Sequence, residues 1–188
     1  MRIAIASDHA AVSLKRELRD WLREEGHEVA DLGTDSDASV DYPDYGAAIG
    51  RALADGSADR GIALCGSGIG IMIAANRNPA VRCALVSEPL SAELARSHND
   101  ANAIALGARL VGPEMARACV RAFLSTDFLG GRHAARVAKL KEPARARTRR
   151  ASPTSSLMAS SPAVSPMPIR RCSRGSSTSW IASRRRSS

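Results

Sequence analysis

Aromatic and cysteine residues are scarce in this chain of 188 residues. Phe, Trp and Tyr together make up 3% of the sequence, so few rings are available on which nucleic acid bases could stack. The four cysteines, at positions 65, 83, 119 and 172, lie far apart and lack the C-x-x-C spacing of metal sites. The sequence therefore predicts no metal centre built on cysteines, and a reduced cytoplasmic protein is its simplest interpretation.

Long apolar runs and the common nucleotide-binding motifs are also missing. No stretch is long enough to cross a bilayer, and the N-terminal run Met1–Ala6 is the size of a strand rather than of a secretory signal. No G-x-x-x-x-G-K-[ST] loop occurs, and the glycine-rich segment 66–70 has the spacing G-x-G-x-G instead of G-x-G-x-x-G. A membrane partner is therefore not expected, and a dinucleotide cofactor loses support.

The formal net charge of +8 combines two segments of different character. Ten of the 27 basic residues and none of the 19 acidic residues lie from Ala144 onward, so residues 1–143 carry 17 basic and 19 acidic side chains, a net charge of −2. We therefore predict a near-neutral globular domain over residues 1–143. Its charge balance is not that of a nucleic-acid-binding domain.

Residues 144–188 are dominated by Ser, Arg, Pro and Ala, a composition that predicts a disordered tail because it cannot bury enough apolar surface to offset the ordering entropy. Three interpretations are open: a polybasic arm for RNA or anionic surfaces, an extension without a role, or a segment read from a shifted frame of a GC-rich gene. The abrupt change of composition, with no aromatic or Gly-Arg pattern, favours the last two.

Alternating strand and helix patterns along residues 1–143 predict an α/β fold. The expected architecture is a Rossmann-like, doubly wound, mostly parallel five-stranded sheet with helices on both faces. In such sheets ligands bind beyond the carboxyl ends of the strands. The predicted strands cover residues 3–7, 28–32, 61–64, 82–86 and 103–106, and the predicted helices cover 11–25, about 41–55, 69–76, 89–97, 113–124 and 132–139.

The segment Cys65–Gly70 carries the strongest chemical signal, because it joins a predicted buried strand to a predicted helix. Glycines at such a turn let the backbone approach a ligand and aim several N–H groups at one point. The helix N-terminus adds partial positive charge there, which favours the thiolate form of Cys65. An anion cradle beside an ionisable thiol suits removal of a proton next to a carbonyl. The alternative is a glycine turn that binds only a phosphate, or nothing.

Other polar clusters are candidates for binding. Asp8 follows the first predicted strand and either caps the next helix or orients a substrate hydroxyl, while His9 is either solvated or donates to an anion. The segment His98–Asn102 ends a helix, where a histidine often serves only the terminal carbonyls, or it forms a polar cluster for a sugar. Arg132 and Arg136 share a face in the first turns of the last helix, where the helix dipole disfavours cations. This placement favours a bound phosphate over a solvated basic face.

Together these segments resemble the ribose-5-phosphate isomerase B family, which also includes galactose-6-phosphate isomerase subunits. The resemblance covers about residues 1–141 and follows the family order. Ser67 stands where the family usually has threonine, and Cys65 with Met72 is similar to the branch that uses a cysteine rather than a glutamate. The matching segments are Ser7–Ala10, Asp41–Pro43, Cys65–Gly70 with Ala74–Asn76, Ser97–Asn102, Leu106–Arg109 and Gly130–Arg136.

The resemblance implies interconversion of ribose 5-phosphate and ribulose 5-phosphate through an enediolate, without a metal or organic cofactor. Cys65 would be the base that moves the proton between C1 and C2, with Ser67 hydrogen-bonded to it. His98 would open the furanose ring as acid and base, and amides of the glycine loop would hold the enediolate oxygen. Those amides belong to Gly66, Ser67, Gly68, Ile69 and Gly70.

The resemblance also implies how the substrate is held. Asp8 and Asn99 would bind sugar hydroxyls, so Asp8 belongs to both the catalytic and the substrate-binding sets. Because the family builds its site at a dimer interface, a homodimer or a dimer of dimers with shared active sites is expected. The phosphate would be held by four basic side chains: His9, Arg109, Arg132 and Arg136.

Two other functions fit the same residues. Isomerisation of a six-carbon sugar phosphate, such as allose or galactose 6-phosphate, uses the same chemistry and differs in pocket depth, on which the motifs are silent. A non-catalytic module that binds a sugar phosphate or nucleotide would also use the glycine turn. Such a module gives no reason for a thiol at Cys65.

Overall fold

Five strands and six α-helices alternate along residues 1–140, the part of the chain that the computed structural model describes. The predicted tail at 144–188 and the predicted domain boundary at 143 lie outside the described residues. The strands are β1 (Arg2–Ser7), β2 (Glu28–Asp31), β3 (Arg60–Cys65), β4 (Cys83–Leu85) and β5 (Ala103–Gly107). The helices are α1 (Val12–Glu24), α2 (Tyr42–Ala54), α3 (Ile69–Ala75), α4 (Pro89–Asn99), α5 (Pro113–Ser125) and α6 (Arg132–Leu140), and a 3-10 turn covers His9–Ala11.

The five strands form one sheet in the order β2-β1-β3-β5-β4, and every pairing is parallel. This confirms the predicted Rossmann-like, doubly wound fold. The direction of winding reverses between β1 and β3, because β2 lies on one side of β1 and the remaining strands lie on the other. Ligands of such sheets bind at the carboxyl ends beside this switch point. A ligand site is therefore expected at the residues that follow β1 and β3.

Helices cover both faces of the sheet and bury two separate cores. Alternate residues of β1 point to opposite faces: Ile3 and Ile5 belong to the core under α1, α4 and α5, and Ala4 and Ala6 to the core under α2 and α3. The alanines of the second face let α2 and α3 lie close to the strands. Burial on both faces explains why the strands read as continuous apolar runs rather than as alternating ones.

Element boundaries agree with the sequence within about two residues. Gly26 follows α1 with a φ of +83°, as expected of a residue that ends a helix. The clearest difference is α4, which was predicted to end at Ser97 and instead continues to Asn99. It ends at Asp100 in the left-handed conformation, with a φ of +47°, and the carboxylate of Asp100 is held by Arg82 at 2.6 Å and Arg96 at 2.9 Å. His98 and Asn99 therefore lie in the last turn of a helix.

Candidate active site

A cavity of about 330 Å³ lies at the carboxyl ends of the central strands. We call it the Cys65 cavity. Its walls come from the turn after β1, the β3–α3 loop, the segment after β5 and the start of α2. It brings together seven of the predicted site residues, namely Asp8, His9, Cys65, Gly66, Ser67, Gly70 and Arg109, and adds Ala10, Tyr42 and Leu110.

Cys65 is the last residue of β3 and is only 5% exposed. Its sulfur accepts a hydrogen bond from the backbone N–H of Gly68 at 3.0 Å, and Gly68 reaches this position with a φ of +77°. The family resemblance implied a hydrogen bond between Ser67 and the sulfur. The Ser67 hydroxyl instead accepts from the amide of Ile69 at 3.4 Å. The donor at the sulfur is thus a backbone amide of the glycine loop.

Two glycines allow the loop after β3 to lie against neighbouring backbone. A Cβ on Gly107, the last residue of β5, would stand 2.7 Å from the backbone carbon and oxygen of Ser67. A Cβ on Gly66 would stand 3.3 Å from the guanidinium carbon of Arg109. Close packing of this kind fixes the loop over the strand end and brings Arg109 to the mouth of the Cys65 cavity.

Asp8 and His9 are both held by backbone amides. The buried carboxylate of Asp8 accepts from the amide of Ala10 at 3.0 Å, so Asp8 caps the turn, as one of the two alternatives expected, and it also lines the cavity. The Nδ1 atom of His9 accepts from the amide of Val40 at 3.2 Å. This bond assigns the hydrogen of the neutral ring to Nε2, which leaves that nitrogen as a donor. A donor at the cavity suits an anionic group.

An ion-pair cluster around the buried ammonium group of Lys15 contacts the segment that precedes Val40. The ammonium group of Lys15 is fully buried and donates to Asp31 at 2.8 Å and to Asp35 at 3.0 Å. Arg19 adds a contact to Asp31 at 3.1 Å. These bonds fix the segment between β2 and α2, so they support the position of the amide that contacts His9. No sequence pattern predicted this cluster, because its members lie up to 20 positions apart.

Tyr42 is a wall residue that the sequence did not assign to the site. It begins α2 and lines the Cys65 cavity while remaining 43% exposed. Its ring packs so closely on Gly70 that a Cβ there would lie 2.7 Å from two ring carbons. The only signal was the segment Asp41–Pro43, which we interpreted as a helix start and as part of the family resemblance.

A second cavity, of about 280 Å³, lies between the last turn of α4 and helix α6. We call it the His98 cavity. It is lined by three predicted site residues, His98, Asn99 and Arg136, together with His133, Val137 and Leu140. Arg132 joins this group through its Nε atom, which lies 3.4 Å from Nε2 of His133. The two cavities have no lining residue in common.

One chain cannot bring Cys65 and His98 together, because they belong to opposite ends of the sheet. Cys65 ends β3 at its carboxyl end, whereas His98 precedes the amino end of β5, which pairs with β3 in parallel. Five strand residues span about 16 Å. The predicted site residues are therefore divided into two sets, each with its own cavity.

The predicted polar cluster at His98–Asn102 is divided as well. His98 and Asn99 line the cavity, while Asn102 binds backbone: its side chain accepts from the amide of Arg82 at 2.8 Å and donates to the carbonyl of Ala80 at 2.7 Å. Asp100 is held by two arginines where α4 ends. The second half of this segment therefore shapes the chain instead of facing a ligand.

His98 and His133 stack on each other in the His98 cavity. Their ring centroids are 4.2 Å apart and their planes differ by 8°. Burial lowers the pKa of His133 below its ordinary value, and the positive charges of His98, Arg132 and Arg136 lower it further. Burial and the three neighbouring groups therefore all oppose protonation of His133.

Cys83 and Cys119 are buried in the two cores and line neither the Cys65 cavity nor the His98 cavity. Burial raises the pKa of Cys83 to about 12 and that of Cys119 to about 11. This agrees with the prediction that they are small buried hydrophobic residues. Cys172 lies outside the described residues.

Within residues 1–140, no helix is both long and apolar enough to span a bilayer. In the same part of the chain, no three side chains among His, Cys, Asp and Glu are grouped as metal ligands. The expectation of a reaction without a metal or organic cofactor stays a prediction.

Comparison with known proteins relates this fold and these residues to sugar-phosphate isomerases. A family model described as ribose/galactose isomerase matches residues 3–140. Ribose-5-phosphate isomerase B of Escherichia coli strain K12 is 46% identical over 136 residues, which are 72% of this chain and 91% of the relative. D-erythrulose-4-phosphate isomerase of Pectobacterium atrosepticum is 41% identical over 141 residues, 74% of this chain and 93% of the relative. The solved structure of ribose-5-phosphate isomerase B from Clostridium thermocellum is 48% identical, with a TM-score of 0.74 over 75% of this chain and 95% of that one.

Proposed function

Because the chain belongs to the ribose/galactose isomerase family, we propose that it interconverts ribose 5-phosphate and ribulose 5-phosphate. The observation that carries this proposal is the Cys65 cavity, where a thiol that accepts from a loop amide lies beside His9 and Arg109. The ribose preference is supported by the relative from Escherichia coli. A cytoplasmic location stays a prediction from the sequence.

In the proposed reaction, the thiolate of Cys65 removes the proton from C2 of the open-chain aldose. The electron pair of that C–H bond forms the C1=C2 double bond, and the carbonyl oxygen becomes the enediolate oxyanion. Return of the proton to C1, with transfer of the C2 hydroxyl proton to the oxygen on C1, gives the ketose. The sulfur begins and ends as a thiolate, so no oxidant or reductant is consumed.

The enediolate oxygen needs donors that are already oriented when charge reaches it. The amides of Gly68 and Ile69 donate to Cys65 and to Ser67. We therefore assign the oxyanion to the remaining loop amides, those of Gly66, Ser67 and Gly70, all of which belong to residues that line the cavity.

The phosphate and the sugar ring would be held from two directions. His9 and Arg109 line the Cys65 cavity, and Arg136, with Arg132 adjacent, belongs to the His98 cavity. Guanidinium groups match phosphate oxygens through paired hydrogen bonds. In this proposal Asp8 and Asn99 bind sugar hydroxyls, one from each cavity, and His98 opens the furanose ring.

These assignments require two copies of the chain. Cys65 and His98 line separate cavities, so neither cavity alone holds both a base for C2 and an acid for the ring oxygen. We propose a homodimer, alone or paired into a dimer of dimers, in which the Cys65 cavity is completed by His98 of the partner subunit. Such a shared site is isologous, so each dimer has two.

Membership of the family does not determine the number of carbons in the substrate, because one relative is an isomerase of a four-carbon ketose phosphate. We expect the full-length protein to show its highest kcat/KM with ribose 5-phosphate when assayed against erythrulose 4-phosphate, allose 6-phosphate and galactose 6-phosphate. A higher kcat/KM with any other sugar would replace ribose as the substrate. Binding of all four without turnover would favour the non-catalytic module.

The phosphate assignment is tested by Arg136→Ala. A charge-assisted hydrogen bond contributes about 1.5–3 kcal/mol, so we expect KM for ribose 5-phosphate to rise about 10–100-fold, while kcat changes little because the contact is equally strong in the ground and transition states. The inhibition constant of inorganic phosphate should rise in parallel. Arg51→Ala, which removes an exposed arginine from α2, is the matched control. Unchanged KM and phosphate inhibition in Arg136→Ala would remove this residue from the phosphate site.

A further inference from the structure

We propose that His133 is a positioning residue, which holds the imidazole of His98 in the orientation required to open the sugar ring. This inference rests on the proposed function. The direct observation is the parallel stack of the two rings, with centroids 4.2 Å apart and an interplanar angle of 8°. A ring fixed on one face by a parallel partner cannot swing freely about its Cβ–Cγ bond.

The backbone around His133 ties its helix to the helix that carries His98. The amide of Leu129 donates to the carbonyl of Ser97 at 3.0 Å, one residue before His98. Gly130 and Gly131 follow with φ values of +63° and +54°, and the amide of His133 donates back to Gly130 at 3.0 Å. The left-handed glycine pair therefore turns the chain so that α6 begins directly against the last turn of α4.

His133 acts as a neutral partner in this stack. It is 8% exposed, and its Nε2 accepts from Nε of Arg132 at 3.4 Å, so its own hydrogen is on Nδ1. A second cation so close to His98 would repel it whenever His98 carries a proton. The lowered pKa of His133 agrees with this geometry, because burial and the nearby positive groups all oppose its protonation.

Through these two contacts, the side chain of His133 connects His98, the proposed ring-opening residue, to Arg132, which is proposed to bind the phosphate. His98 lies against one face of the His133 ring, and Arg132 donates to its edge. The phosphate oxygen and the ring oxygen of a bound furanose are a fixed number of bonds apart. A fixed arrangement of Arg132 and His98 therefore aligns the acid with the ring oxygen when the phosphate binds. Misplacement of a catalytic group by about 1 Å can cost on the order of 100-fold in rate.

Measuring kcat in both directions distinguishes an effect on ring opening from an effect on proton transfer, because only one of the two sugars has a ring to open. Ribose 5-phosphate is closed as a furanose, but ribulose 5-phosphate stays open because its O5 carries the phosphate. We expect His133→Gln, which removes the stacked ring, to lower kcat from ribose 5-phosphate about 10–100-fold and to leave kcat from ribulose 5-phosphate within about twofold. Since the equilibrium constant is fixed, the ratio of KM for ribose 5-phosphate to KM for ribulose 5-phosphate must then fall by the same factor as kcat from ribose 5-phosphate.

Two further variants separate positioning from damage to the fold. His133→Phe keeps a flat ring but no acceptor for Arg132, so it should restore kcat from ribose 5-phosphate to within about threefold of the wild-type chain while raising KM. Val137→Ala removes another buried side chain of α6 from the same cavity. Val137→Ala should lower the melting temperature and change kcat by a similar factor in both directions of the reaction.

Any of three results would overturn the positioning role: an equal loss of kcat in both directions for His133→Gln, a loss of kcat from ribose 5-phosphate in His133→Phe as large as in His133→Gln, or the same difference between the two directions in Val137→Ala. A wild-type chain that turns over neither sugar would instead overturn the proposed function.

Discussion

Replacement of Cys65 by alanine is expected to reduce isomerisation by at least about 10³-fold. The variant has no group that can take the proton from C2, and the amide of Gly68 loses its acceptor. The side chain lies at a cavity wall at the end of β3, so the change should leave the sheet and the phosphate contacts in place. The measurement is kcat in both directions, together with the dissociation constant for ribose 5-phosphate.

The matched control for Cys65→Ala is Cys83→Ala, which also removes a buried thiol. Burial raises the pKa of Cys83 to about 12, so that thiol is not a base at neutral pH, and kcat should stay within about twofold. Near-normal turnover by Cys65→Ala would refute the assigned base. Loss of both turnover and sugar-phosphate binding would instead indicate that the thiol maintains the loop.

The strands and helices could be predicted because each is indicated by residues that lie close together in the sequence. Ile3 and Ile5 with Ala4 and Ala6 form a run that is buried on both faces, and such runs are typical of central parallel strands. Gly26 marks the end of α1 by its need for a positive φ. The end of α4 was predicted two residues early, at Ser97, because an aspartate, Asp100, takes the left-handed position there and is held by arginines from two segments.

The site was predictable in its residue types but not in its arrangement. The family resemblance identified Cys65 and His98, and the predicted alternation of helices and parallel strands implies that α4 ends at the opposite end of the sheet from the glycine loop. That alternation does not show which residues line each cavity. The hydrogen bond to the sulfur also depended on loop geometry, because the φ of Gly68 decides which group faces Cys65. Tyr42 was missed because its contact with Gly70 joins residues 28 positions apart.

The shared site leads to a complementation result of large effect. Cys65→Ala and His98→Asn should each be almost inactive from ribose 5-phosphate, since one lacks the base and the other lacks the ring-opening acid. A hybrid dimer of the two has one site with both defects and one site with neither. After complete subunit exchange in an equal mixture, about half of the dimers are hybrids, so about a quarter of wild-type activity should return.

Asp8→Asn provides the control for that mixture, because Asp8 lies in the same cavity as Cys65. In a hybrid of Cys65→Ala and Asp8→Asn, each Cys65 cavity retains one defect, and activity should not rise above the average of the two variants. Native mass spectrometry of tagged chains establishes that exchange has occurred. If hybrids form and the Cys65→Ala and His98→Asn mixture stays inactive, each chain works with its own residues, and the proposal of a site completed by the partner subunit is wrong.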